Sequence, residues 1–143
     1  MKIQDVIRGK ASQAVVTIDP GATVRELVAL LAEHNVGALV VSEDGERVAG
    51  IVSERDVVRR LHEDTAVLDS PVSSIMTVDV RTCAGDDGLT DLMHTMTEHR
   101  IRHVPVVADG RLTGIISIGD VVKNRIGELE FERDQLDHYV HQT

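Results

Sequence analysis

The stretch Gly50-Ile-Val-Ser-Glu-Arg-Asp-Val-Val58 returns, with few changes, as Gly114-Ile-Ile-Ser-Ile-Gly-Asp-Val-Val122. Working outward from it, Glu33-His34 recurs as Glu98-His99, Thr17 as Thr82, and Asp44-Gly45 as Asp109-Gly110. The offset is 65 residues before the Asp-Gly pair and 64 after it, which makes Glu46 the extra residue of the first copy. An internal repeat of this length means two copies of one supersecondary unit. Each copy reads the same way. A β-rich run (Ala14 to Ile18; Val78 to Thr82) leads into apolar residues at helical spacing: Val24, Leu27, Val28, Leu30 and Leu31, then Leu89, Leu92, Met93 and Met96. Gly37 stands where the first of these helices would stop. Apolar runs then flank the Asp-Gly turn, Ala38 to Val41 with Val48 to Val52 and Val104 to Val107 with Leu112 to Ile116, which is a hairpin signal. A helix opens after Ser53 and after Ser117. Each half is therefore β-α-β-β-α, and the chain is an α/β protein of the α+β type.

The copies divide the chain into a first repeat at 1–63, a linker at 64–74, a second repeat at 75–126 and a C-terminal helical extension at 127–143. The stretch from His62 to Ser74 is polar, lacks periodicity and contains Pro71. Ile3, Val6 and Ile7 form a short apolar lead-in, and Val72, Ile75 and Met76 look like its counterpart before the second half. Beyond the second repeat, Ile126, Leu129, Leu136 and Val140 fall at helical spacing, interrupted by Arg133 and surrounded by Glu128, Glu130, Glu132, Asp134 and Asp137. This stripe suits packing on the chain's own body and packing on a partner equally well.

Composition narrows the function. A chain of 143 residues falls in the usual range of one compact unit, roughly 100–150 residues. It carries 24 acidic against 15 basic residues, a net charge of −9, which suits a phosphate-backbone binder poorly. Phe131 and Tyr139 are the only aromatics, so the core is aliphatic and base-stacking on single-stranded nucleic acid is excluded. Cys83 is alone, which rules out an internal disulfide. Neither a secretory leader nor the run of about eighteen apolar residues that spans a membrane is visible. A cytoplasmic protein without nucleic-acid or membrane partners is expected.

The repeated Gly-apolar-apolar-Ser-x-x-Asp has a purely structural reading. Ser three residues before an acid is a capping box, with Ser53 and Asp56, and Ser117 and Asp120, closing the first turn of a helix. Duplication copies structural residues as readily as functional ones.

Two β-α-β-β-α halves, each ending on this motif, resemble a tandem pair of CBS domains, a Bateman module of the stand-alone bacterial type, over roughly Ile3 to Arg125. The resemblance implies two pseudo-twofold-related repeats packed through their sheets, with two clefts between them that bind AMP, ADP or ATP, and in some members NAD or S-adenosylmethionine. It implies that Asp56 and Asp120 take ribose hydroxyls, with Ser53 and Ser117 beside them. A carboxylate is an acceptor with two oxygens, suited to a vicinal diol. The base would lie among Thr17 and Thr82, Val36-Gly37-Ala38 and Ile101-Arg102-His103, with Val104 and Pro105 continuing the second wall. Ile118 and Gly119, inside the second capping box, are weaker candidates. The resemblance also implies a homodimer, a regulated partner protein that reads occupancy, no enzyme activity and no metal. A constitutive scaffold whose aspartates only cap helices, and an NAD(H) binder, are the alternatives.

The halves differ where a phosphate would lie. Gly37-Ala38 in the first corresponds to Arg102-His103 in the second, where His99 and Arg100 add to a local basic cluster. Arg offers a planar donor fork to phosphate oxygens, and His adds a donor. The same residues equally suit a solvated helix end facing the helix dipole. Arg55 matches a basic residue of many such modules and would meet phosphate from the other cleft; Lys10 is a weaker candidate. His99 and His103 are four apart, but Pro105 puts His103 at a strand start, so they share no helical face and make no zinc pair. There is no Walker sequence and no Gly-x-Gly-x-x-Gly after a strand, so neither common glycine-rich phosphate loop is present. The expectation is two chemically unequal clefts.

Overall fold

The computed structural model describes residues 1–10 and 15–141. The first repeat contains β1 (Thr17–Ile18), α2 (Val24–His34), β2 (Ala38–Val41), β3 (Gly50–Ser53) and α3 (Glu54–Glu63), preceded by the short helix α1 (Ile3–Arg8). The second contains α4 (Leu89–His99), β4 (His103–Ala108), β5 (Arg111–Ser117) and α5 (Ile118–His141). Ala14, expected in the first strand, and the last two residues of the tail lie outside the described residues. No helix among the described residues is long and apolar enough to cross a membrane.

In the first sheet β1 runs parallel to β2 and β2 antiparallel to β3, in the order β1-β2-β3. In the second, β4 and β5 form a hairpin around Asp109 and Gly110, both at positive φ, the backbone a two-residue hairpin turn requires. The corresponding first hairpin is looser. Its second strand begins only at Gly50, and Asp44 organises the loop by accepting the N–H groups of Glu46 and Arg47 at 2.9 Å.

The run Val78 to Thr82 is not a strand. Only Cys83 pairs with the hairpin, parallel to Val106, through Cys83 N–H to Pro105 at 3.0 Å and Val107 N–H to Cys83 at 2.9 Å. The reason is Pro105. In the first repeat Thr17 pairs with Val40, and the residue in Val40's place is Pro105, which has no N–H to continue the ladder. Gly37 is not the helix stop either. Asn35 and Arg100, both left-handed at φ 51° and 54°, end α2 and α4.

Two aliphatic cores result, and each borrows from the other side of the chain. Val24, Leu27, Leu31, Leu39, Val41, Val52 and Val57 of the first repeat enclose Val67 and Val72 from the segment read as a linker and Ile75 from the start of the second repeat. Leu89, Leu92, Met96, Val104, Ile116 and Val121 of the second enclose Ile3 and Val6 of α1. The backbone joins match. Ile3 N–H bonds Asp87 at 3.0 Å and Leu89 N–H bonds Met1 at 3.0 Å; Val72 N–H bonds Ala22 at 2.7 Å and Val24 N–H bonds Ser70 at 2.9 Å. Glycine at 114 leaves room for Ile7, and glycine at 50 for Met76, where an added Cβ would come within 3.1 Å and 2.8 Å.

Candidate functional site: two clefts across the repeats

Both Ser-x-x-Asp motifs form the capping box. Asp56 Oδ2 accepts the Ser53 N–H at 2.8 Å and the Ser53 hydroxyl at 3.1 Å, and the Ser53 hydroxyl oxygen accepts the Asp56 N–H at 3.4 Å. Asp120 Oδ2 accepts the Ser117 N–H at 2.9 Å, and the Ser117 hydroxyl oxygen accepts the Asp120 N–H at 3.2 Å. Capping fixes each aspartate at a strand-to-helix junction, and each junction opens on a cleft of about 420 Å³.

Each cleft draws on both repeats. Cleft one joins Ile51, Ser53, Arg55, Asp56 and Arg59 of the first repeat to His99, Arg100, Ile101, Arg102 and His103 of the second, with Thr77, Asp79, Val80 and Arg81 along one side. Cleft two joins Ile115, Asp120, Lys123 and Asn124 of the second repeat to His34, Val36, Ala38 and Leu39 of the first, with Val6, Gly9, Lys10 and Val16 along the corresponding side. Arg55 and Arg102 therefore share one cleft rather than serving different ones.

Cleft one holds five arginines (Arg55, Arg59, Arg81, Arg100, Arg102) against three carboxylates (Glu54, Asp56, Asp79), a net +2 in a chain of −9. Among the described residues none of the five guanidinium groups is tied down in an ion pair or side-chain hydrogen bond, and Asp56 Oδ1 has no partner. Cleft two is different. Lys10 Nζ lies 3.0 Å from Asp120 Oδ2 and donates to the Ile115 carbonyl at 3.0 Å. Burial pushes the Asp120 carboxyl up, but the Ser117 N–H and the Lys10 ammonium outweigh it and hold the group below the usual range.

His103 stands at the boundary of the two. A Cβ on Gly37 would lie 3.3 Å from its Cε1 and 3.5 Å from Glu54 Oε1, so glycine there makes room for the imidazole. Burial pushes His103 down; Glu54 and Asp120 oppose this, and Arg102 and Lys10 add to it, leaving it below the ordinary range. Its charged form is therefore disfavoured in the cleft, which weakens its part in the basic cluster read from the sequence.

Several expected residues line neither cleft. Side chains alternate along extended chain, so Val16 and Arg81 point into the clefts while Thr17 sits against the Gly45 turn and Thr82 is exposed. Val104 belongs to the second core and Pro105 is buried beside it. Ile118 and Gly119 lie on the first turn of α5, outside both linings. Arg59, Arg81, Asp79 and Lys123 were missed. Arg59 and Lys123 could have been found, since both stand three residues beyond the repeated aspartate, one turn along its helix.

A family model for the CBS domain matches residues 3–63 and again 72–127. The chain is a tandem pair of CBS domains. A CBS-domain protein of Agrobacterium tumefaciens superposes with a TM-score of 0.83 at 42% identity, over 87% of this chain and 99% of that one. The mitochondrial CBS domain-containing protein CBSX3 of Arabidopsis thaliana is 36% identical over 96% of this chain and 71% of its own. The CBS domain pair of protein MJ0100 was solved in complex with 5′-methylthioadenosine and S-adenosyl-L-methionine; it superposes with a TM-score of 0.79 at 25% identity, over 90% of this chain and 98% of that one. CBS pairs are regulatory modules, and some bind adenosine-containing ligands.

Proposed function

We propose that this CBS pair is a regulatory module that binds an adenine nucleotide (AMP, ADP or ATP) in cleft one and presents the occupied form to a partner protein, working in the cytoplasm as a homodimer. The observation that carries this reading is the open Asp56 carboxylate facing five untethered guanidinium groups in an otherwise acidic chain. Asp56 Oδ1 can accept a ribose hydroxyl while Oδ2 keeps its cap, a charge-assisted bond worth roughly 1.5–3 kcal/mol. Ile51, Ala38 and Ile101 offer an apolar seat for the base without any aromatic ring. The arginines suit the phosphates. They disfavour S-adenosylmethionine, whose sulfonium would add a cation to them.

A ligand held by Asp56 from one repeat and Arg102 from the other favours one relative placement of the two, and a shift in that placement is what a partner can read. The complete capping boxes support a second reading, a ligand-free scaffold.

Thermal unfolding in the presence of AMP, ADP, ATP, NAD and S-adenosylmethionine separates them. A nucleotide at a hundred times its Kd adds about 2.7 kcal/mol, a rise of several degrees at this size. The expected order is ATP or ADP above AMP, with S-adenosylmethionine weakest. A protein whose Tm no ligand moves is the scaffold.

A further inference from the structure

From Ile118 to His141 α5 is one unbroken helix, and from Leu129 onward every described side chain is exposed. That is roughly 20 Å of helix at 1.5 Å per residue. A solvated segment this short has little intrinsic stability, and helices in proteins are held chiefly by packing of an apolar face. The face is present. Val122, Ile126, Leu129, Arg133, Leu136 and Val140 recur at spacings of four, three, four, three and four, the heptad seam of a coiled coil. Val122, Ile126, Leu129 and Leu136 are 47, 50, 48 and 66% exposed, so the chain's own body does not cover this seam.

We propose that the seam is covered by the α5 of a second copy of this chain, running antiparallel. The seam matches itself end to end, Val122 on the second Val140 and Ile126 on the second Leu136, which fixes the occupant and the register, and Arg133 fixes the direction. Val122, Leu129 and Leu136 take the d positions, and Ile126, Arg133 and Val140 the a positions. In a parallel pair Arg133 would oppose its own copy across the core, and the two Glu132–Asp137 repulsions would cancel the two Arg125–Glu130 attractions. Antiparallel pairing in the register that joins Ile126 to the second Leu136 sets each Arg133 against a leucine, the second Leu129. It also sets Lys123 against the second Asp137, twice. The basic start of the helix thus meets its acidic end; Glu130 and Glu132 each face their own copies near the twofold axis, and the two Arg133 side chains that lie among them offset that repulsion. This assembly is independent of what the clefts bind.

In that register Glu130 faces its own copy across the axis, whereas Ile126 faces its own copy only in a parallel pair. The full chain carrying Glu130→Cys, and separately Ile126→Cys, is oxidised mildly near neutral pH. The native Cys83 does not interfere, because burial and Asp87 push its thiol up to about 12 and keep it protonated. The expected result is a disulfide-linked dimer as the main species for Glu130→Cys and only background for Ile126→Cys. Adding Leu136→Glu, a change at an exposed site outside both aliphatic cores, reduces the Glu130→Cys product at least tenfold. A link at 126, no link at 130, or a link at 130 indifferent to Leu136→Glu overturns the proposal, as does a Glu130→Cys protein that sediments as a monomer before oxidation.

Discussion

Cleft one and cleft two are equal in volume, each opens beside an aspartate that caps a helix through the serine three residues earlier, and each is closed by the helix end of the opposite repeat. Their linings have nevertheless gone in opposite directions. At the place occupied by Lys10 in cleft two, cleft one has Asp79; where cleft two has Val16 and Ala38, cleft one has Arg81 and His103. In one cleft the cations are free and the aspartate is open. In the other the chain's own ammonium already sits on the aspartate. Duplication kept what each repeat needs to fold, the cap and the apolar alternation, while the residues facing the gap between copies were free to diverge.

The sharpest way to break this comparison is to remove the aspartates one at a time. Asp56→Ala is expected to cut the nucleotide-induced rise in Tm by half or more, since at least one charge-assisted bond is lost, a tenfold to hundredfold weakening. Asp120→Ala should leave the rise intact. Both variants lose a capping interaction worth about 1 kcal/mol, so the ligand-induced shift and not Tm itself is the readout. Equal losses in the two would equate the clefts.

Lys10→Met tests the closed side. Freed from its ammonium, Asp120 should admit nucleotide, raising calorimetric stoichiometry from one to two per chain. The ion pair is partly exposed, at 27 and 23%, so its loss should cost no more than about 1 kcal/mol of stability. Stoichiometry unchanged at one would mean that something other than Lys10 closes the cleft.

Arg100 sharpens the comparison further, because it holds a left-handed backbone that Asn35 holds in the first repeat. Such a conformation costs a side chain with a Cβ about 1–2 kcal/mol, and Asn relieves part of it. Arg100→Asn should therefore raise unfolding stability by up to about 1 kcal/mol while weakening nucleotide binding severalfold. A variant that binds as well as the parent would remove Arg100 from the site.

The smallest effect is with pH. The unfolded imidazole titrates near 6.5, and folding holds His103 below that value, chiefly by burial. As pH falls through about 6.5 the unfolded chain takes up a proton that the folded His103 resists, so stability is lost toward acid. His103→Gln should flatten this part of the urea-unfolding profile between pH 7 and 5, and an unchanged slope would assign it elsewhere.

What the residues disclosed in advance follows from how local each feature is. Helix faces, the Asp109-Gly110 hairpin and the serine caps depend on spacings of two to four residues and could be read directly. The missing ladder at Val78 to Thr82 depended on a proline more than twenty residues away, in the partner strand. Thr17 and Thr82 were displaced from the clefts by a single step of strand alternation, which places Val16 and Arg81 there instead. Lys10 meets Asp120 across more than a hundred residues of chain, a contact that no local pattern encodes.

The exchange of lead-in segments has a consequence for how the molecule comes apart. Ile3 and Val6, 0 and 1% exposed, complete the core of the second repeat, and Val72 and Ile75 complete that of the first. Burying such side chains contributes roughly 1.5–3 kcal/mol apiece. Neither repeat cut out at its own boundaries would keep its full complement, and a polypeptide emerging from the ribosome cannot finish the earlier repeat until residue 75 is free. The α1 helix must wait longer still, for the last repeat to be made. Two copies of one motif thereby melt as a single cooperative unit, and fragments bearing one copy each would be expected to recover their structure only when mixed.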